Sequence, residues 1–405
     1  MPEAESPQVR HNRHSALGAV GIVCLAVPVV TLLVTDLPVN AQRANVLWFV
    51  GTAIGSALLP FLYWAPYRAL GFVPLAAVVW LAAVAHGAYW AEWPGWAHGT
   101  PLGLLVGAGT RARHGKEPWP ETAALFGAVF VGVGVATAIV SRGPPYDVPP
   151  WFALAASVAL VGWSWARLFR PLFELVCEPG LWVMYRVRRT GPGFTDFPRT
   201  GPCLVIANHA CWFDPMFLAK VLPRPLTPMM TAKFYDLPLM RQLMVAFGVI
   251  RVSEKAIKKD APEVQEAIAA LDRGECVVIF PEGYLRRTED HVLRRFGQGV
   301  WQVLKARPDI PVFATWLEGA WGSYLSHAKG QPTKNKKPDF RQPIGVGMSA
   351  AIVVPPEVLE EHLRTRTHLM NLVSGARVHL GLDPLPPFGL PANADEPENE
   401  PNPLA

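Results

Sequence analysis

Apolar positions crowd the first 170 residues in long unbroken runs and afterwards fall into short, spaced ones. Residues 16–35, beginning Ala16-Leu-Gly-Ala-Val-Gly-Ile-Val, carry no charge. That run supplies the ~20 residues needed to cross a ~30 Å hydrocarbon core. Similar runs follow at 45–65, 69–91, 121–141 and 150–169. The pattern predicts membrane-crossing helices, with a cleaved signal peptide as the alternative for the first run, because Arg10 and Arg13 precede it. A weaker, glycine-broken run at Trp96–Thr110 is either a sixth span or a re-entrant loop. Lysine and arginine in short loops favour the cytoplasmic side. With the sixth span, Arg10, Arg13, Arg68, Arg111, Arg113, Lys116, Arg167 and Arg170 all fall inside, and only Arg43 and Arg142 outside.

Beyond Leu168 the runs are interrupted by Glu174 and Glu178 and end in Tyr185-Arg-Val-Arg-Arg189. This predicts amphipathic helix lying on the interface and broken at Pro179-Gly180. After the turn at Gly191-Pro-Gly193 the period changes again. Short β-rich runs at Leu204–Ile206, Val249–Val252, Val277–Phe280 and Val312–Trp316 alternate with helical stretches at Pro215–Val221, Leu237–Phe247, Pro262–Leu271 and Gln298–Lys305. That order predicts an α/β layered domain with a mostly parallel sheet, whose strands carry functional groups at their carboxyl ends.

The expected organisation is a cytoplasmic tail over 1–14, a transmembrane domain of five to six helices over 15–169, an interfacial linker over 170–190, the α/β domain over 191–382, and a tail over 383–405. That tail is rich in Pro, Asn, Asp and Glu, with too few apolar residues to bury, so it is expected to be disordered. The whole chain has 405 residues, 51% of them hydrophobic and only 17% charged. Its net charge of +5 includes basic groups beside the apolar block, which favours anionic lipid over nucleic acid as partner. Five scattered cysteines (Cys24, Cys177, Cys203, Cys211 and Cys276) indicate neither a disulfide framework nor a zinc site. They fit a reduced setting and a catalytic domain on the cytoplasmic side of an inner membrane.

Two polar constellations follow predicted strands. Asn208-His209 comes after Cys203-Leu-Val-Ile-Ala207, with Asp214 five positions beyond the histidine. On a regular helix those two side chains would sit roughly 140° apart, so they pair only across a turn. An unperturbed imidazole can take a proton from a hydroxyl at neutral pH when a carboxylate holds its ring. Alone, such a pair is more often a cap or a surface contact. The second constellation, Phe280-Pro-Glu-Gly283, follows Cys276-Val-Val-Ile279.

Together, Asn208-His-Ala-Cys-Trp-Phe-Asp214 and Phe280-Pro-Glu-Gly283 resemble the motifs of the lysophospholipid and glycerophosphate acyltransferase family over about residues 170–360, and Ile310-Pro-Val-Phe-Ala314 is similar to its Val-Pro strand. The resemblance implies acyl transfer from acyl-CoA or acyl carrier protein to a glycerolipid hydroxyl, with no metal or further cofactor. It implies His209 as general base, Asp214 as its orienting partner, and Asn208, Glu282 and Gly283 as acceptor-binding. An oxyanion donor is then expected among backbone N–H groups at the turn or the following helix start.

Two departures stand out. In Gly248-Val-Ile-Arg-Val-Ser-Glu254, a glutamate occupies the position where the resemblance leads one to expect arginine, leaving Arg251 or Lys255 to meet an acceptor phosphate. In the last motif Tyr284-Leu285 replaces a small hydroxyl residue, with Arg286 or Arg287 supplying the charge. Trp316 and Trp321 are expected to be core or interface aromatics. No Gly-x-Ser-x-Gly elbow or P-loop occurs. The rival class is a lipid transporter or membrane scaffold with an inactive acyltransferase-like domain. Nearly charge-free spans, with only His86 ionisable well inside one, argue against an ion-coupled path.

Overall fold

The computed structural model describes residues 39–62, 66–90, 95–114, 150–253, 261–334 and 336–389. They fall into two compact units, divided between Leu181 and Trp182.

The first unit contains helices α1 (Val39–Leu58), α2 (Phe72–Trp90), α3 (Gly95–His114) and α4 (Pro150–Met184), the last continuing into the second unit. Short 3-10 turns, Leu59–Leu62 and Pro66–Gly71, lie between α1 and α2. The expected row of membrane spans is not found: among the described residues no helix is long and apolar enough to cross a membrane. Helix α2 lies within the run 69–91 and α4 begins with the run 150–169, whereas α1 and α3 reach beyond theirs into polar residues. Helix α1 opens on Asn40, Gln42, Arg43 and Asn45, and α3 closes on Arg111, Arg113 and His114. The runs at 16–35 and 121–141, with the signal-peptide alternative, lie outside the described residues.

Glycine decides how α3 packs. A Cβ on Gly99, Gly103 or Gly107 would lie 2.3, 2.1 or 2.2 Å from the carbonyl oxygens of Phe49, Ala53 and Ala57 on α1. The glycines that made this run look like a loop instead let two helix backbones touch. Helix α4 runs on through Pro179, where a break was expected, and departs from helical geometry at Leu168. Pro171 is the cause, since its ring collides with the carbonyl four residues back and offers it no N–H. Arg68, expected in a cytoplasmic loop, is buried. Its Nε donates to Glu174 at 3.1 Å and its Nη1 to Glu178 at 2.7 Å, and the Arg170 Nε also donates to Glu174, at 3.1 Å.

The second unit is built on a seven-stranded sheet of β1 (Tyr185–Thr190), β2 (Cys203–Ala207), β3 (Thr227–Thr231), β4 (Ile250–Val252), β5 (Cys276–Ile279), β6 (Val312–Glu318) and β7 (Gln342–Met348). The spatial order is β1-β7-β6-β2-β5-β3-β4, and every pairing is parallel except β6 with β7. All four expected strands are present. Three more were not expected, and β1 is instructive: Tyr185-Arg-Val-Arg-Arg-Thr190, read as the basic end of an interfacial helix, alternates with period two as an edge strand. Arginines on such an edge deter further strand pairing.

Helices α5 (Asp214–Val221), α6 (Ala232–Tyr235), α7 (Met240–Ala246), α8 (Pro262–Asp272), α9 (Gly299–Ala306), α10 (Pro356–Leu359) and α11 (His362–Gly375) complete the unit. Leu204, Ile206, Val277, Ile279, Val312 and Ala314 pack one sheet face against α8, α9 and α11. Phe313 points the other way, its ring centroid 4.7 Å from that of Phe197. Residues 383–389, assigned by composition to a disordered tail, are docked instead. The Asn371 amide donates to the Phe388 carbonyl at 3.1 Å and accepts its N–H at 2.9 Å, while Leu385 and Phe388 pack on the core.

Candidate active site

Parallel pairing assembles the two motifs. Ile206 on β2 lies opposite Ile279 on β5, so the turns that leave these strands emerge side by side. One turn carries His209 and the other Glu282, the carboxyl-end placement expected of an open α/β sheet.

The first turn is closed by Asp214, which begins α5 and is completely buried. Its Oδ2 accepts the Ala210 N–H at 2.6 Å and the Cys211 N–H at 2.9 Å, and lies 2.8 Å from His209 Nδ1. The Cys211 thiol donates to Oδ1 at 3.3 Å. A carboxylate can only accept, so Nδ1 carries the proton and Nε2 is left as the basic atom. The imidazole stacks on Phe280, centroids 4.2 Å apart, and keeps part of its surface open.

Glu282 is also buried, but it holds backbone rather than a side chain. Its Oε1 accepts the His209 N–H at 2.7 Å and its Oε2 the Arg294 N–H at 2.8 Å. Burial pushes its carboxyl up to about 8, while the two amide donors pull it the other way. Gly283 turns the chain with φ +71°, in the left-handed region that suits glycine, and donates to the Phe280 carbonyl at 3.0 Å. Arg286 N–H then donates to the His209 carbonyl at 2.8 Å, a further tie between the turns.

Several expected roles change. Asn208 does not face an acceptor: its amide donates to the Leu317 carbonyl at 3.0 Å and accepts the Leu317 N–H at 2.7 Å, extending the β2–β6 ladder by one side chain. The Arg286 guanidinium is held by the carbonyls of Thr288 at 2.9 Å and Glu289 at 2.7 Å, and sits 4.5 Å over the Trp321 ring. Burial lowers its pKa. Arg251 is exposed and engaged by Asp236, with Nε 2.9 Å from Oδ1. Arg287 is exposed. Among the described residues, no hydrogen bond or ion pair joins Arg251 or Arg287 to His209. Glu254 and Lys255 lie outside the described residues.

The turn does not supply the expected oxyanion donor, because every N–H from His209 to Asp214 has an internal acceptor. His209 gives to Glu282, Ala210 and Cys211 to Asp214, Trp212 to the Leu325 carbonyl, Phe213 to Cys211 Sγ and Asp214 to the Cys211 carbonyl. Cys211, Phe280 and the Arg294 amide are the contributors missed in the sequence. A backbone donor has no signature in side-chain identity, and Cys211 lay unassigned within the motif. Trp316 is a core residue as expected, its Nε1 bonded to Glu318 at 2.8 Å. Among the described residues no group of three or more His, Cys, Asp or Glu could hold a metal ion.

Residues 190–318 match the family described as Acyltransferase. A 1-acyl-sn-glycerol-3-phosphate acyltransferase of Borreliella burgdorferi is 24% identical over 98 residues, which cover 24% of this chain and 39% of that protein. The crystal structure of the 1-acyl-sn-glycerophosphate (LPA) acyltransferase PlsC from Thermotoga maritima matches with 15% identity and a TM-score of 0.37, covering 62% of this chain and 90% of that one. The stretch at residues 190–318 that matches the Acyltransferase family contains both strand-end turns, with His209, Asp214 and Glu282 on them.

Proposed function

We propose that the second unit transfers a fatty acyl group from acyl-CoA or acyl carrier protein to a free hydroxyl of a lysophospholipid or glycerophosphate, in phospholipid synthesis or remodelling. The observation that carries this reading is the 2.8 Å contact between Asp214 and His209 Nδ1 at the end of β2, which leaves Nε2 for the substrate. Nε2 takes the acceptor hydroxyl proton as that oxygen bonds to the thioester carbonyl carbon. The tetrahedral oxyanion then collapses, the C–S bond breaks, and the imidazolium returns its proton to the departing thiolate. Asp214 fixes the tautomer and offsets the charge of the imidazolium.

Glu282 serves this scheme by gripping the His209 backbone, and exposed Arg287 is the guanidinium we assign to the acceptor phosphate. We assign the protein to the inner membrane, where a lipid acceptor resides, with its catalytic unit on the cytoplasmic side. Anchoring falls to the apolar runs 16–35 and 121–141. A reporter fused after Lys116 tests that topology: two crossings with a cytoplasmic catalytic unit place this position on the periplasmic side, and a cytoplasmic signal there rejects it.

The deciding experiment offers purified protein labelled acyl-CoA or acyl carrier protein with lysophosphatidate, lysophosphatidylethanolamine, lysophosphatidylglycerol or glycerol 3-phosphate, beside His209→Ala. Incorporation reduced ~10²–10⁴-fold in the variant supports the reading. No incorporation with any pair, from folded protein, transfers the weight to the transporter or scaffold.

A further inference from the structure

Between the two catalytic strands the chain from Ala232 to Gly248 turns apolar side chains outward. Helix α7 has no buried residue along its whole length. Leu239 is 82% exposed and Val245 62%, and Phe234, Leu237 and Trp212 are exposed beside them in the sequence or in space. Leu239 also holds φ at +66°, a left-handed conformation that costs a leucine energy. Water gives no reason for a leucine to be strained and displayed.

The patch reaches the site. Trp212 belongs to the turn closed by Asp214, and its ring meets Phe234 edge-on with centroids 5.5 Å apart. The charges interspersed with it are one-sided. Lys233 and Arg241 are exposed, and Asp236, the one carboxylate between Ala232 and Gly248, is engaged by Arg251. Apolar side chains among an excess of cations, with Lys233, Arg241 and Arg251 against Asp236, on a segment that meets the catalytic turn through Phe234 and Trp212, fit an anionic phospholipid surface: leucines enter the acyl boundary while the long basic side chains reach phosphates.

We propose that residues 232–247 and Trp212 form a docking face for an anionic bilayer, bringing the His209 turn to the lipid acceptor. This rests on the acyltransferase reading above. It adds a contact surface within the α/β unit, separate from any anchoring by the N-terminal runs.

The test uses the full chain reconstituted in vesicles. Leu239→Cys, labelled with an environment-sensitive fluorophore, is compared in phosphatidylcholine and in phosphatidylcholine–phosphatidylglycerol vesicles containing doxyl-labelled lipid, after subtracting the unsubstituted chain's background. The expected result is blue-shifted emission quenched by the doxyl lipid, stronger with phosphatidylglycerol and weakened about fivefold for each of Lys233→Gln and Arg241→Gln. In turnover, Leu237→Ser/Leu239→Ser/Val245→Ser lowers transfer to a bilayer-resident acceptor at least ~10-fold. Transfer to a short-chain, water-soluble acceptor is unchanged. Water-like, unquenched emission overturns the proposal. So does shielding insensitive to doxyl lipid, which means that a protein covers the face, and so does equal loss on both acceptors. Quenching needs no turnover, so a chain that is quenched but inactive on every acceptor rejects the acyltransferase reading and keeps the docking face.

Discussion

Each unit buries a glutamate, and the two are held by opposite means. Glu174 in the helical unit takes Arg68 and Arg170 as partners and the Tyr67 hydroxyl as donor. Glu282 in the α/β unit takes only backbone N–H groups, those of His209 and Arg294. A carboxylate ringed by cations ties side chains on separate elements together, and its loss strands buried positive charge. A carboxylate held by amides fixes the path of the backbone, and here it fixes the residue whose ring does the chemistry. Asp214 combines the two modes, holding two amides and the imidazole with one oxygen.

The largest effect expected from disturbing these carboxylates is at Asp214. Asp214→Asn removes the charge that selects the His209 tautomer, and the rate of acyl transfer is expected to fall ~10²–10⁴-fold with the fold kept. A variant with near-normal rates would detach Asp214 from the chemistry. Next comes Glu174→Ala, which leaves buried Arg68 with only the half-buried Glu178 of its two carboxylates. Breaking a buried pair in this way costs about 3–5 kcal/mol, read as a lower unfolding midpoint of the helical unit in detergent. An unchanged midpoint would show that Glu178 suffices for Arg68.

The helical unit also depends on close approach of backbones, as the sheet unit does where Gly193 and Gly347 meet the carbonyls of Ser349 and Ala376. Gly103→Ala puts a Cβ 2.1 Å from the Ala53 carbonyl oxygen, and overpacking of this kind costs about 1–3 kcal/mol. Separation of α1 from α3 can be followed by crosslinking, and a neutral substitution would contradict the contact.

The smallest effect belongs to Glu282→Gln. Loss of one amide contact costs about 0.5–1.5 kcal/mol, and the more telling change is in pH dependence. The native carboxyl is raised from 4.5 to about 8, so between those values the folded state binds a proton that the unfolded state has lost. Stability from this group is therefore full below 4.5 and declines as the pH rises through 8. Glu282→Gln should flatten that part of the curve, and an identical slope in both proteins would assign the titration elsewhere.

Much of the α/β unit was legible because its strands are short, β-branched and separated by helical periods. Cys203–Ala207, Cys276–Ile279 and Val312–Glu318 lie where the apolar runs lie. Tyr185–Thr190 was misread because arginines on an edge strand look like the polar face of an interfacial helix. The N-terminal block was legible only in part: hydropathy reports that side chains are apolar, and says nothing of whether neighbouring helices or lipid cover them. Glycines at 99, 103 and 107 read as breaks because their partner, the α1 backbone, is about fifty residues away in sequence.

The sequence by itself determined strands β2, β4, β5 and β6 with the helices between them, and the spacing that lets His209 meet Asp214 across a turn, since both depend on local period and turn chemistry. Tertiary structure decided what each polar residue is for. Asn208 became a rung beside β6, Arg286 a clasp for its own loop, and Glu282 the support of the His209 backbone. The reason is physical: a buried polar group must satisfy its hydrogen bonds with whatever the fold brings near it, and most of those partners are backbone atoms that no residue name reveals.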